Sequence, residues 1–238
     1  MLTTRRAPAT EWQRLLTDLG ISPRDRILVV EPSSGSLVAL PAVPVLTGPH
    51  GMALLGPPLD APLPEDATAT ATGLPADSVD ATLLFSPWTN ASQVGAVAKE
   101  AIRITRPGGR VALGTLDAGT LLDASPSAYP AALGFQLFPD LASRLRDAHR
   151  HDAMIGIELL RAGIHDVVVD PFDVPMAYYD SLDECVADVE AGAWPGTDTL
   201  DDARRQILAH EVRRLLKGRR FPLVDELPWL IARGTKGS

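Results

Sequence analysis

The sequence is poor in several features that mark specialised classes of protein. Cys185 is the single cysteine, so no disulfide can form within the chain. No apolar run approaches the ~20 residues that a membrane-spanning helix needs, and the first residues, MLTTRRAPATEW, lack the apolar core of a signal peptide. Lysine and arginine (22) are outnumbered by aspartate and glutamate (30), and such a deficit of positive charge disfavours binding along a nucleic acid backbone. We therefore expect a cytoplasmic protein that binds neither membranes nor nucleic acids.

Apolar runs that alternate with amphipathic segments make up most of the sequence. The content of 45% hydrophobic and 22% charged residues is that of an ordinary globular protein. Neither an internal repeat nor a charged linker divides the chain, so we expect a single domain over residues 1–238.

The apolar runs have the length of strands buried on both faces. Strands are predicted near residues 26–31, 52–56, 67–72, 81–86, 110–116, 164–171 and 223–233. Helices are predicted over about 10–20, 91–106, 139–162, 181–192 and 197–218. This alternation predicts an α/β fold with a mostly parallel sheet and helices on both of its faces.

Four segments, in this order along the chain, resemble class I S-adenosylmethionine-dependent methyltransferases of the small-molecule branch. They are LLTDLGISPRDRILVVEPSSGS, GLPADSVDATLLFSPW, EAIRITRPGGRVALGTLD and LLRAGIHDVVVDPF. The most specific part runs from LPADSVDATLLF to the PGG turn before RVAL. The resemblance implies a Rossmann-like seven-stranded sheet with a C-terminal antiparallel hairpin, and it makes residues 118–163 an elaboration on the acceptor side. Because a fold does not determine a function, the site has to be argued from its own residues.

The resemblance implies that S-adenosylmethionine lies against the loop after the first strand. Family members carry an acid-x-Gly-x-Gly-x-Gly motif there, in which the glycines let the backbone approach the cofactor closely. In this register the chain has Glu31, Ser33, Gly35 and Leu37. The acid and the middle glycine are kept, and the outer two glycines are replaced. Glu31, Ser33 and Gly35 are thus the predicted cofactor-binding residues of a degenerate loop.

Two further carboxylates that the resemblance implies are missing from their positions. The acid that would bind the ribose hydroxyls falls at Gly56, and the acid that would bind the adenine amino group falls near Thr70. Each charge-assisted hydrogen bond contributes roughly 1.5–3 kcal/mol, so their loss predicts weak or absent S-adenosylmethionine binding. The alternative is that Asp60 or Asp66 supplies a carboxylate from nearby. No metal site is predicted.

The acceptor side is predicted at the carboxyl end of the fourth strand, where α/β sheets bind ligands. Ser86 and Trp88 lie there in the segment FSPWTN, and Trp88 either stacks on a planar ligand or packs under the next helix. The resemblance places aromatic residues over the acceptor pocket. Tyr129, Phe135 and Tyr178 are the candidates, and core packing is the alternative for each.

Two histidines in the segment RDAHRHDAM are the candidate catalytic residues. A spacing of two puts His149 and His151 on different faces of a helix, which argues against a shared metal site. Either both are solvated, or one of them acts as a general base, because an imidazole titrates near neutral pH. Cys185 lies among apolar residues at helical spacing, which predicts a buried structural thiol.

Three hypotheses about function follow. The favoured one is a methyltransferase-fold protein of small-molecule, including specialised, metabolism that no longer methylates; it would serve as a ligand-binding or partner subunit, or as a repurposed enzyme such as a cyclase. The alternative is an active S-adenosylmethionine-dependent methyltransferase of a small-molecule acceptor. The third is a structural interaction protein, which rests on the basic helix near residues 204–220. The predicted partners are a small-molecule ligand and either a protein partner or a second copy of the chain.

Overall fold

The computed structural model describes residues 14, 16–22, 24–30, 45–47, 52–56, 63–85, 91–149, 154–194 and 196–237. The strands are β1 (Ile27–Val30), β2 (Val45–Thr47), β3 (Met52–Leu55), β4 (Val79–Phe85), β5 (Thr105–Leu116), β6 (Ile164–Tyr179) and β7 (Leu223–Lys236). The α-helices are α1 (Ala91–Ile104), α2 (Ala118–Asp123), α3 (Ala132–Leu137), α4 (Pro139–Ala148), α5 (Met154–Ala162), α6 (Leu182–Glu190) and α7 (Asp202–Leu215). Residues 14 and 16–18 are also helical.

Within these residues the strands form one seven-stranded sheet in the order β2-β3-β1-β4-β5-β7-β6. The three central strands β1, β4 and β5 are parallel, and β7 is antiparallel to both of its neighbours. It follows from the pairings that β1, β2, β4, β5 and β6 run in one direction and that β3 and β7 run in the other. The predicted fold class is confirmed: a Rossmann-like, mostly parallel sheet that closes with an antiparallel hairpin.

The sheet is covered on both faces by apolar clusters, and the central strand β1 is buried at every residue. Helix α1 places Val94, Val97 and Ala101 on one buried stripe, and this stripe packs with α5 over one face. The other face carries Leu16, Leu19 and the helices α2, α3, α4, α6 and α7. Helix α5 belongs to the predicted elaboration 118–163 but packs against α1 and β6. The limits of the domain and of the elaboration stay predictions.

The strand predicted at 52–56 is present as β3, but its direction differs from the expected parallel one. Strand β3 pairs antiparallel with β2 on one side and with β1 on the other, with Ile27 opposite Leu55 and Val30 opposite Met52. The next residue, Gly56, has φ 115°, and a Cβ there would lie 2.7 Å from the carbonyl oxygen of Asp25. This close approach needs glycine. The carboxyl end of β3 therefore lies beside the amino end of β1.

The prediction of a strand at residues 67–72 is wrong. This segment forms turns, joined by an isolated bridge between Thr68 and Ala71. Its hydrogen bonds go to helix α1: Glu100 accepts from the backbone N–H of Thr72 (2.8 Å) and from its hydroxyl (2.6 Å), and Arg103 donates to the carbonyl of Leu74 (2.7 Å). Small Ala and Thr side chains offer little apolar area to hold the segment in the sheet, and the buried carboxylate satisfies its backbone instead.

Glu100 is a buried carboxylate that is fully paired. Burial alone would raise its pKa, but the hydrogen bonds from Arg103 and Thr72 outweigh burial and lower the pKa to about 2. Arg103 binds both carboxylate oxygens, with its Nε 2.7 Å from Oε2 and its Nη2 2.8 Å from Oε1. The ionised carboxylate thus fastens the 67–74 segment to α1.

Replacing Glu100 by Gln is expected to lower the free energy of unfolding at neutral pH by roughly 1–3 kcal/mol, because an ionised group with a depressed pKa stabilises the folded state. This stabilisation is complete above about pH 4.5 and is lost as the pH falls towards 2. The measurement is urea unfolding followed by circular dichroism between pH 3 and 7. The free energies of unfolding of the wild type and the variant should converge as the pH falls.

The matched control is Glu211→Gln, which removes the partner of Arg214 in an exposed pair on α7. Such a pair contributes about 0.3–0.5 kcal/mol, so the control should change little. A loss in Glu100→Gln that is the same at every pH would contradict an ionic role for Glu100.

Candidate functional site

The carboxyl ends of β1, β4 and β5 meet at one end of the sheet, where α/β proteins bind their ligands. The segments that follow β1 and β4 hold half of the predicted site residues, and these lie outside the described parts of the chain. The residues concerned are Glu31, Ser33, Gly35, Ser86 and Trp88, together with His151. Their roles stay predictions.

An aromatic pair forms an apolar floor at the carboxyl end of β4. Phe85, the last residue of β4, lies against Gly114 of β5, where a Cβ would come within 2.3 Å of the phenyl ring. Its ring meets the Trp229 indole edge-on, with centroids 5.0 Å apart and planes at 81°. The indole Nε1 of Trp229 is buried and has no hydrogen-bond partner among the described residues. The floor is therefore apolar apart from one unused donor.

His149 lies at the carboxyl end of β5. It is the residue at which α4 ends, and its Nδ1 is 3.3 Å from the hydroxyl of Thr115. If Nδ1 accepts a hydrogen bond from the hydroxyl, Nε2 carries the ring proton and is a donor. In the other tautomer Nε2 is an acceptor. The hydroxyl thereby fixes the orientation of an imidazole next to the predicted acceptor site. A general-base role for His149 is compatible with this position and stays a prediction.

Tyr129 lies among carboxylates. Its hydroxyl donates to Asp173 of β6 at 2.5 Å. Burial, then this hydrogen bond, then the charges of Asp173, Glu226 and Asp117 raise the pKa of Tyr129 to about 12. The phenol is thus a proton donor at neutral pH and cannot act as a base. Asp117 is also the N-cap of α2, where it accepts from the backbone of Thr120 at 3.0 Å.

Phe135 and Tyr178 differ in their surroundings. Phe135 lies in the apolar core, 4% exposed, and packs beside Gly196. Tyr178 is half-buried and lies within β6, which extends eight residues beyond the predicted end at residue 171. Pro171 and Pro175 are tolerated because β6 is the edge strand, where an amide donor is not needed on the outer side. The substrate-binding roles of Phe135 and Tyr178 stay predictions.

A buried polar group that the sequence reading missed lies between β7 and α6. Asp225 is 3% exposed, and its Oδ1 has no hydrogen-bond partner. Burial, and then the charges of Glu226 and Asp188, raise its pKa to about 7. The inner face of β7 is formed by residues 225, 227, 229 and 231. The two-residue period of a strand could therefore have revealed that Asp225 is buried.

The neighbours of Asp225 are equally shielded from water. The Tyr179 hydroxyl accepts from the indole nitrogen of Trp194 at 3.2 Å, and burial raises its pKa. Burial also raises the pKa of the Cys185 thiol, with contributions from Asp225 and Asp188. Cys185 is buried, as predicted, and is held as a thiol that reacts poorly.

Two general properties can be stated for the described ranges. None of the helices there combines the length and the apolar character that crossing a membrane requires. No three His, Cys, Asp or Glu side chains among these residues are gathered in a way that could hold a metal ion.

No protein-family model and no curated protein matches the sequence. Among solved structures, the matches include phosphoethanolamine N-methyltransferase 2 from Haemonchus contortus, at 13% identity and a TM-score of 0.37, over 72% of this chain and 36% of that one. A protein from Anabaena variabilis described as a methyltransferase of an antibiotic biosynthesis pathway matches at 17% identity and a TM-score of 0.43, over 69% of this chain and 70% of that one. A protein from Anaeromyxobacter dehalogenans described as a type II methyltransferase matches at 16% identity and a TM-score of 0.42, over the whole of both chains.

This chain thus corresponds to little more than a third of the length of the Haemonchus protein. Sequence identities as low as these bear on the fold alone. The chemistry of the site has to come from the residues of this chain.

Replacing Asp225 by Asn is expected to raise the free energy of unfolding above pH 7 by roughly 1–4 kcal/mol, because the unfolded chain releases this proton near pH 3.8 and the folded chain holds it to about 7. Below pH 3.8 Asp225 does not lower the free energy of unfolding of the wild type. As the pH rises through 7, this free energy falls because the folded chain must give up the proton or keep it at a cost. Urea unfolding between pH 4 and 8 measures this slope, which should flatten in the variant.

Asp123→Asn is the control, since Asp123 is exposed at the end of α2. It should keep the pH profile of the wild type. If Asp225→Asn also kept that profile, Asp225 would be ionised in the folded protein.

Proposed function

We propose that this chain is a methyltransferase-fold protein that does not transfer methyl groups and that binds a small molecule at the carboxyl ends of its parallel strands. In this proposal it serves as a ligand-binding subunit or as a repurposed enzyme of small-molecule metabolism. The observation that carries the proposal is the direction of β3 beside β1.

The direction of β3 removes the ribose contact. In the fold that the chain resembles, the strand next to β1 ends in a carboxylate beside the loop that follows β1. Here the residue beside the end of β1 is Met52, which is 1% exposed. The end of β3 lies at the other end of the sheet, with Gly56 against Asp25. The described residues of this strand and its end, 52–56, include no carboxylate that could bind a ribose.

The adenine contact is also unsupported. Thr70, at the expected position of the acid, lies in a turn, where its hydroxyl is 3.2 Å from that of Thr68. The buried carboxylate of this region is Glu100, and its oxygens are taken by Thr72 and Arg103. Neither of the two carboxylates that the resemblance implies stands at its expected position, since residue 56 is glycine and residue 70 is threonine. The loss of two charge-assisted hydrogen bonds weakens the affinity about a hundredfold or more.

One observation favours the alternative, an active methyltransferase. His149 is held by Thr115 at the carboxyl end of β5, where a general base would reach an acceptor bound over Phe85. The same histidine serves the main proposal equally well, as a polar contact for the ligand.

Isothermal titration of the purified protein with S-adenosylmethionine, and separately with S-adenosylhomocysteine, should give no binding tighter than about 1 mM, because the ribose and adenine carboxylates are missing. Glu31→Gln should leave any weak heat signal unchanged. Micromolar binding of either compound, weakened by Glu31→Gln, would establish a working cofactor loop and overturn the proposal.

Ligand binding at the carboxyl ends is tested by a screen of planar aromatic fragments using saturation-transfer NMR. We expect binding fragments to lose affinity by about threefold to tenfold in His149→Gln, since one hydrogen bond contributes about 0.5–1.5 kcal/mol. The control is His210→Gln on the exposed side of α7. Fragments that bind both variants as they bind the wild type would place the ligand elsewhere.

A further inference from the structure

A second candidate site lies at the amino ends of the parallel strands, at the opposite end of the sheet from Phe85 and His149. It is a pocket of about 330 Å³, which is within the size range of small-molecule sites. The polar residues of its lining include Arg110, Asp166 and Thr235, and the apolar ones include Leu19, Ile21 and Val168.

Arg110 is the free charge of this pocket. It lies on β5 opposite Thr235 of β7, and its Nη1 is 3.5 Å from the Thr235 hydroxyl. Within the described parts of the chain, Arg110 has no carboxylate partner. Arg233, the second guanidinium in the lining, is held by Asp170 at 2.8 Å and by the carbonyl oxygen of Asp18 at 3.4 Å. An anion that enters the pocket therefore meets one neutralised arginine and one available arginine.

The remaining lining restricts the kind of anion. Asp166 brings a negative charge to the pocket and disfavours a doubly charged ligand such as phosphate. Leu19 and Ile21 form an apolar wall from the amino-terminal segment, and Val168 adds an exposed apolar side chain from β6. A guanidinium beside a hydroxyl, next to apolar walls, suits a single carboxylate on a short apolar body.

We propose that this pocket binds small monocarboxylates that carry an apolar body, with Arg110 as the group that binds the carboxylate. The site is separate from the carboxyl ends of the parallel strands, so it does not depend on whether the chain binds S-adenosylmethionine. Its occupant is a second ligand, distinct from the one bound at the proposed functional site.

The probe is sodium hexanoate, titrated into the full chain labelled with ¹⁵N at constant ionic strength. The amide signals of Val111, Gly234 and Thr235 should shift in a saturable way, with half-saturation in the millimolar range. Arg110→Gln should weaken binding about tenfold, since a charge-assisted hydrogen bond is lost. Arg24→Gln is the matched control: Arg24 is exposed near the same end of the sheet and is not part of the lining, so its loss should leave the affinity unchanged.

Three further titrations separate the parts of the proposal. Acetate should bind at least about fivefold more weakly than hexanoate, because it lacks the apolar body. Hexylammonium and inorganic phosphate should give no saturable shift at these amides. The proposal is overturned if Arg110→Gln binds hexanoate as the wild type does, if phosphate competes as well as hexanoate, or if hexanoate gives no saturable shift up to about 50 mM.

Discussion

The antiparallel pairing of β3 with β1 is the constraint that sets which residues lie beside each end of β1. The two strands expose no polar side chain to each other, and their register puts Met52 beside Val30 and Leu55 beside Ile27. Gly56 then continues the chain past Asp25 at a distance that excludes any side chain. This direction of β3 places Met52 beside the carboxyl end of β1 and Gly56 beside its amino end, so β3 itself brings no carboxylate to the carboxyl end of β1.

Two buried carboxyl groups show how the environment sets the charge of the same chemical group. Glu100 receives hydrogen bonds from a guanidinium, a hydroxyl and an amide, and it is ionised and stabilising. Asp225 is also buried, but its neighbours Glu226 and Asp188 are acidic and its Oδ1 has no partner. The first fixes a turn segment to a helix. The second is buried between β7 and α6, and the folded protein is most stable when this carboxyl group is protonated.

The sequence was sufficient to predict β1, β4, β5 and α1, because long apolar runs and a helical stripe report burial directly. It did not reveal the direction of β3, since an apolar run of four residues reads the same in a parallel or an antiparallel pair. It misassigned 67–72, where Ala and Thr alternate as in a strand but the partner is Glu100, which lies about 30 residues further along the chain. His149 was proposed from its chemistry and its role stays a prediction, whereas Asp173 and Asp225 become noticeable only through contacts between distant segments.

The two ends of the sheet differ in what they offer a ligand. At the carboxyl ends, the described side chains include His149, Tyr129 and a set of carboxylates, so that end presents proton donors and negative charge. At the amino ends, Arg110 presents a positive charge beside apolar walls. Asp166 adds a negative charge to the same pocket, so the amino ends carry both signs of charge, and Arg110 differs from Arg233 in having no carboxylate partner among the described residues. If both proposals hold, the two ligands would not compete, because His149 and Arg110 lie at opposite ends of the sheet.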